Sequence, residues 1–316
     1  MPKGLFTQCA CVLLDRPTNL DEIQNALSGF EIFGRTDAAS EEAFGGPSLL
    51  LDYRKAVNGL VAVDVVNRPW PDDMGDIEDN PTEFNAWAMG QYGPFTYPGG
   101  LERATEQSWT WDEAAETQQK HLAFVRVRSG YLHGRDDDAP VVPEDYDAID
   151  ELQYVTKVAA ALLDLPGALC YFNPGGEVLR DQDGLRESLN FAWANDLPPL
   201  DTWCNVRLFL INDQWLLMDC VGNSQVDLPD IEACFFSDAY DFGEVDNLLR
   251  GLTLYLLEEG EVIEDGDTVD GPGGVMWQAM LVEESLCDPP RSVIRLVPLD
   301  DRTPPEEVVE SEAPEE

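Results

Sequence analysis

The chain has 316 residues, 44% of them hydrophobic, and its 19 basic residues face 62 acidic ones for a formal charge of −43. That apolar content suits one large domain or two smaller ones rather than a disordered chain, while the charge weighs against nucleic acid and anionic membranes, which need a basic patch. No run of about 18 apolar residues offers a membrane span, the opening MPKGLFTQCACVLL has too short an apolar part for a signal peptide, and seven cysteines without a C-x-x-C pair argue against disulfides or a zinc site, so a soluble cytoplasmic protein is expected.

Residues 9–14 (CACVLL) read as a buried strand, and Asn19 with Glu22 caps a helix that presents Leu20, Ile23 and Leu27 on one face. Apolar runs at 48–51 and 60–66 follow. The second, LVAVDVV, is the pattern of a strand covered on both sides, interrupted only by Asp64. From Asn67 to Gly100 the chain turns rich in Pro, Gly, Trp and Tyr, too long for a bare loop and too aromatic to stay in water. The expectation is an ordered flap over 70–100 that folds onto the sheet. Trp70, Phe84, Trp87, Tyr92, Phe95 and Tyr97 would pack in it, a helical turn would run over 83–89, and Asp72, Asp73 and Asp76 would sit at its rim. Thr110 and Glu113 suggest a capping box for a short helix, with Trp109 as its staple. Residues 121–128 alternate as a strand, and the acidic loop 135–150 reads as the boundary between two halves.

The second half begins with a helix striped by Leu152, Val155, Ala159, Leu162 and Leu163 and ended by Pro166-Gly167. A strand at 168–172 and a helix at 185–194 lead to the clearest hairpin, 204–211 with 215–221. A connection through Asn212, Asp213 and Gln214 sets Arg207 opposite Asp219 and Phe209 opposite Leu217. A strand at 231–236, a helix at 245–258 and strands at 275–282 and 293–297 complete the pattern. This is an α+β fold, antiparallel or mixed sheets covered by helices, and its element order admits two ferredoxin-like halves at 1–134 and 151–300. The tail 301–316 offers little to bury and reads as disordered and acidic.

Few residues suggest chemistry. His121 and His133 are the only imidazoles, and neither sits in a G-x-S-x-G or H-E-x-x-H setting. His133, in a loop, stays a candidate base. Asp72, Asp73 and Asp76 directly follow a buried strand and could hold a divalent metal, although in so acidic a chain solvated or capping roles are the commoner outcome. The run 258–268 fails the calcium-loop pattern and reads as a helix end and a turn, and the Gly-rich pieces at 173–177 and 270–274 lack a phosphate-loop context. No cofactor is expected.

The stretch from Asp230 to Val297 carries DIEACFF, then NLLRGLTLYLLEEG, VIEDGDTVDGPGG and the closing strands. In this it resembles the uncharacterised bacterial family DUF4261, with a weaker likeness reaching back through VNRPWPDDMGD, TQQKHLAFVRVRSGY and WCNVRLFL. The resemblance implies an α+β fold and brings no catalytic role to Asp230, Glu232, Asp267 or Thr268. The residues then favour a non-catalytic protein-binding or immunity-type protein whose acidic surface meets a basic protein or peptide. The alternative is a metal-dependent hydrolase or other carboxylate-using enzyme built on Asp72, Asp73, Asp76, His133 or Glu232. In a third account the acidity is an adaptation to saline surroundings.

Overall fold

Strands that are buried at every position need cover on both faces. β1 (Gln8–Leu14), β4 (Gly59–Val66) and β5 (Ala123–Gly130) are buried throughout, and the computed structural model supplies both covers. It describes residues 2–36, 46–136 and 138–309, which form two compact units, one up to Trp203 and one from Cys204.

The first unit is built on an antiparallel sheet of seven strands. Their order is β2 (Ile32–Thr36), β3 (Ser48–Arg54), β4, β5, β1, β6 (Ala168–Asn173) and β7 (Val178–Arg180). On one face Ala10, Val12 and Leu14 pack with Ile23 of α1 (Leu20–Ala26), Val155 and Leu162 of α5 (Ala148–Leu162), and Leu185 of α6 (Gln182–Ala194). The first helix starts as expected, because the Asn19 side chain accepts from the amides of Asp21 and Glu22. On the other face Cys9, Cys11 and Leu13 lie beneath α2 (Pro81–Ala88), α3 (Gly100–Glu106), α4 (Ala114–Gln118) and the chain between them. The ordered flap exists. Trp70, Trp87 and Tyr92 form its buried cluster with Phe124 and Phe172, whereas Phe84, Phe95 and Tyr97 are only half-buried. The flap comes so close to β1 that a Cβ on Gly93, whose φ is +117°, would stand 2.4 Å from the Cys9 Cβ.

The second unit is a six-stranded sheet in the order β11 (Thr268–Asp270), β12 (Met276–Val282), β13 (Val293–Pro298), β10 (Asp230–Phe236), β9 (Trp215–Val221) and β8 (Asn205–Leu210). Only β10 and β13 run parallel. The helix α7 (Phe242–Glu259) buries Val245, Leu249, Leu252 and Leu256 and packs on β9 and β10. A separate cluster of Leu217, Cys234, Val297 and Val308 collects Leu286 and Cys287 from the loop that joins β12 to β13.

Several expectations need correction. The units divide between Trp203 and Cys204, not across the loop at 135–150, because α5 packs against β1 and β5 and so belongs to the first sheet. Two ferredoxin-like halves are not found, since the sheets have seven and six strands in unrelated orders. The tail is ordered at its start: α8 (Glu306–Val309) buries Val308 fully, and Arg295 Nη1 donates to the Val308 carbonyl at 3.0 Å. Residues 310–316, also assigned to the tail, lie outside the described residues. The capping box before α4 does not form. Glu113 occupies the cap without a side-chain bond, Thr110 accepts from Arg180, and Trp109 is 63% exposed.

Candidate functional site

The proposed metal aspartates serve three separate pieces of backbone. Asp72 accepts from the amides of Leu101 and Glu102 at 2.8 and 2.7 Å, so it caps α3 from 29 residues away. Asp73 accepts from the Gly75 amide and Asp76 from the Glu78 amide, each closing its own turn. Among the described residues no group of three or more His, Cys, Asp or Glu side chains converges as metal ligands. His133 is exposed in a turn and contributes only its backbone carbonyl, which accepts from Asn58. His121 is buried and locked: its Nε2 accepts from the Trp70 amide at 3.0 Å and its Nδ1 faces the Gln118 carbonyl. Glu232 belongs to the second unit.

Glu232 does join a set of buried charges in its own sheet. The register places Arg207 opposite Asp219, Asp219 opposite Glu232, and Glu232 opposite Arg295, a row that crosses four strands. Arg207 holds Asp219 with two bonds of 3.0 and 2.5 Å, both side chains being fully buried, as the hairpin reading anticipated. Arg295 Nε reaches Glu232 Oε1 at 2.5 Å. Arg291, at the foot of β13, donates to Asp219 at 2.7 Å and to Asp230 at 2.6 Å, and it gathers the carbonyls of Cys287 and Pro289 beneath itself. The β12–β13 loop is thereby latched over the row. The Leu286 amide adds a bond to Glu232.

The electrostatics follow from burial set against partners. Burial alone would push Asp219 up, but Arg207 and Arg291 outweigh it and hold the carboxyl below its ordinary range. For Asp230 and Glu232 burial wins, and one arginine each pulls the carboxyl only part of the way back. Asp219 and Glu232 face each other across neighbouring strands, yet their oxygens are committed to guanidiniums and the Leu286 amide rather than to an open site.

A second set lies in the first sheet beneath the flap. Asp64 accepts from Ser48 at 2.6 Å, from Arg126 at 3.1 Å and from Arg128 at 2.9 Å, and both arginines also donate to the Gln91 carbonyl in the flap. Burial, and then the neighbouring Arg126, lower Arg128 to about 10 despite Asp64. The clue to both sets is a charge set inside an otherwise apolar strand. It is visible in LVAVDVV, AFVRVRSG, NVRLFL, LLMDC and VIRLV.

Other groups suited to chemistry are shut in. Glu151, raised by its burial, is fully enclosed and accepts from Thr7 at 2.9 Å and Tyr146 at 2.8 Å. Six of the cysteines are buried, and Cys287 is partly so, with burial pushing its thiol up to about 12.

Residues 219–297 match the DUF4261 family. The family is described as a domain of unknown function. No curated protein and no solved structure matches the chain. The DUF4261 segment opens at Asp219 and contains Asp230, Glu232, Arg291 and Arg295, so every member of the second sheet's ionic row except Arg207 lies within it. The upstream stretches that resemble the family lie outside the matched residues.

Proposed function

We propose that the protein is a soluble, non-catalytic binding protein whose acidic exterior docks a basic protein or peptide. The observation that carries this reading is the division of charge between inside and outside. Arg126, Arg128, Arg207 and Arg295, with the partly buried Arg103 and Arg291, are drawn to buried carboxylates, and among the described residues the buried carboxylates are Asp64, Glu151, Glu177, Asp219, Asp230 and Glu232. Setting six of each aside from the 19 basic and 62 acidic residues leaves 13 against 56 for the rest of the chain. These two sets offset each other, and the imbalance belongs to the remainder. Such a field speeds encounter with a positive partner and repels acidic ones. An immunity-type role against a basic protein falls within this class.

Titration calorimetry of the full chain with a short lysine-rich peptide and a glutamate-rich one of equal length tests the reading. Saturable binding of the basic peptide alone at about 0.15 M salt, weakening as salt rises, is the expected result. Absence of binding by either peptide, with a melting midpoint that climbs steadily into molar salt, would overturn it and assign the acidity to saline surroundings.

A further inference from the structure

The exterior of the second unit carries one feature that acidity alone does not explain, a cleft of about 450 Å³ beside the last turns of α7. Ile263 and Leu281 supply its exposed apolar surface over a floor of the buried Leu256 and Ile294, and its rim carries Glu261 and Glu283, with no Lys or Arg among the lining residues. The volume falls in the range of pockets that take a ligand or anchoring side chains. Leu281 is 50% exposed and the adjoining Val262 is 46% exposed, so apolar surface faces water where burial by a partner would be rewarded.

The wall that carries Ile263 and Leu281 is held in place by the segment that follows Ile263. Residues 264–267 run alongside β12, where Gly266 donates to the Ala279 carbonyl at 2.8 Å, Ala279 to the Asp267 carbonyl at 2.7 Å, and the Leu281 amide to the Asp265 carboxylate at 2.9 Å. A fixed wall spares a partner the entropy of ordering it. From Pro229 to Ile294, every lining residue lies inside the DUF4261 segment.

We propose that this cleft is the docking site for a segment of a partner protein that presents apolar side chains flanked by Lys or Arg. The proposal rests on the binding reading above and adds the place and the chemistry. The apolar floor calls for apolar anchors and the two glutamates call for cations, whereas a second copy of this chain would bring another −43 charges to the contact.

Fluorescence anisotropy of the full chain at about 0.15 M salt tests this with two labelled probes, a peptide of Leu and Lys and a control in which each Leu is Ser. The Leu/Lys peptide is expected to bind one to one and at least about tenfold more tightly than the control. Leu281→Ser with Ile263→Ser should remove that advantage. Glu261→Lys with Glu283→Lys should weaken binding about tenfold, while the same charge change at Asp183 and Glu187, exposed in the first unit, should weaken it no more than about twofold. Melting midpoints accompany each variant. If Leu281→Ser unfolds the protein, the rim reversal carries the test, because Glu261 and Glu283 are exposed. Equal affinity for both peptides, or equal loss from rim and remote reversals, would overturn the cleft and leave the acidic-surface reading standing. No binding of either peptide, even at low salt, would remove both.

Discussion

The first sheet sets two guanidiniums, Arg126 and Arg128, on one carboxylate, Asp64, and completes them with the neutral carbonyl of Gln91. The second sheet sets three guanidiniums, Arg207, Arg291 and Arg295, against three carboxylates, Asp219, Asp230 and Glu232. In both, a covering segment reaches down to the buried charges, the flap through a peptide group and the β12–β13 loop through a charged side chain. Buried pairs of this kind add little net stability over apolar packing but punish any arrangement that separates them. The two sheets thus illustrate one use of interior charge, fixing which segment lies over which face, with a dipole serving in one case and a full charge in the other.

Breaking the charged latch should have the largest effect. Asp219→Ala leaves Arg207 and Arg291 without their shared partner and should cost about 3–5 kcal/mol in urea unfolding. A loss below about 1 kcal/mol, typical of exposed pairs, would contradict the role given to the row. The aromatic part of the other cover comes next. Trp87→Ala should cost about 3–5 kcal/mol, and the loss should appear as faster hydrogen exchange in the flap before the strands beneath it.

Much of this was legible in the residues and some was not. The hairpin register could be read because Arg207 and Asp219 interrupt apolar strands at positions that only one loop length brings together. The flap could be read because its aromatics had nowhere else to go. The helix α3 could not, since its cap, Asp72, comes from 29 residues earlier and no local pattern announces it. The edge strands β2, β7 and β11 are short or half-exposed and lack a strong alternation. The docking of Val308 is not legible in the sequence because its partner is the buried Arg295, 13 residues back, while the surrounding tail is rich in glutamate. For the candidate site, the residue types of Asp72, Asp73 and Asp76 were visible, but the backbone amides that each accepts from were not.

Smaller effects sharpen the comparison. Val308→Ala should cost roughly 1–3 kcal/mol, because it opens the cover over Arg295, and truncation after Asp300 should lower the melting midpoint more than this substitution does. Asp72→Ala should cost about 0.5–2 kcal/mol as the loss of a helix cap, with divalent-metal titrations of variant and parent alike. The pH dependence separates the buried acids further. Asp64 and Asp219 are held below their ordinary values by arginines against the opposing pull of burial, so their stabilisation is present above an unfolded value of about 3.9 and is lost as pH falls through the folded one. Glu151 is raised by burial, so its ionisation erodes stability as pH climbs from the unfolded value of about 4.3 through the folded one. Glu151→Gln should therefore gain on the parent steadily as pH rises through that window, and a constant difference would refute the assignment.

In the proposed function, interior charge holds the fold and exterior charge meets a basic partner. Its most direct test measures melting midpoint and affinity for the Leu/Lys peptide in two variants. In one, Glu232→Gln is combined with Arg295→Met, which leaves the net charge unchanged. In the other, the exposed Glu258, Glu259, Glu261 and Glu264 all become Gln. The interior variant should melt earlier yet, at temperatures where it remains folded, bind within about twofold of the parent, while the exterior variant should keep its midpoint and bind about tenfold more weakly. Loss of binding in a folded interior variant, with none in the exterior one, would place the functional site at the buried charges and contradict the account.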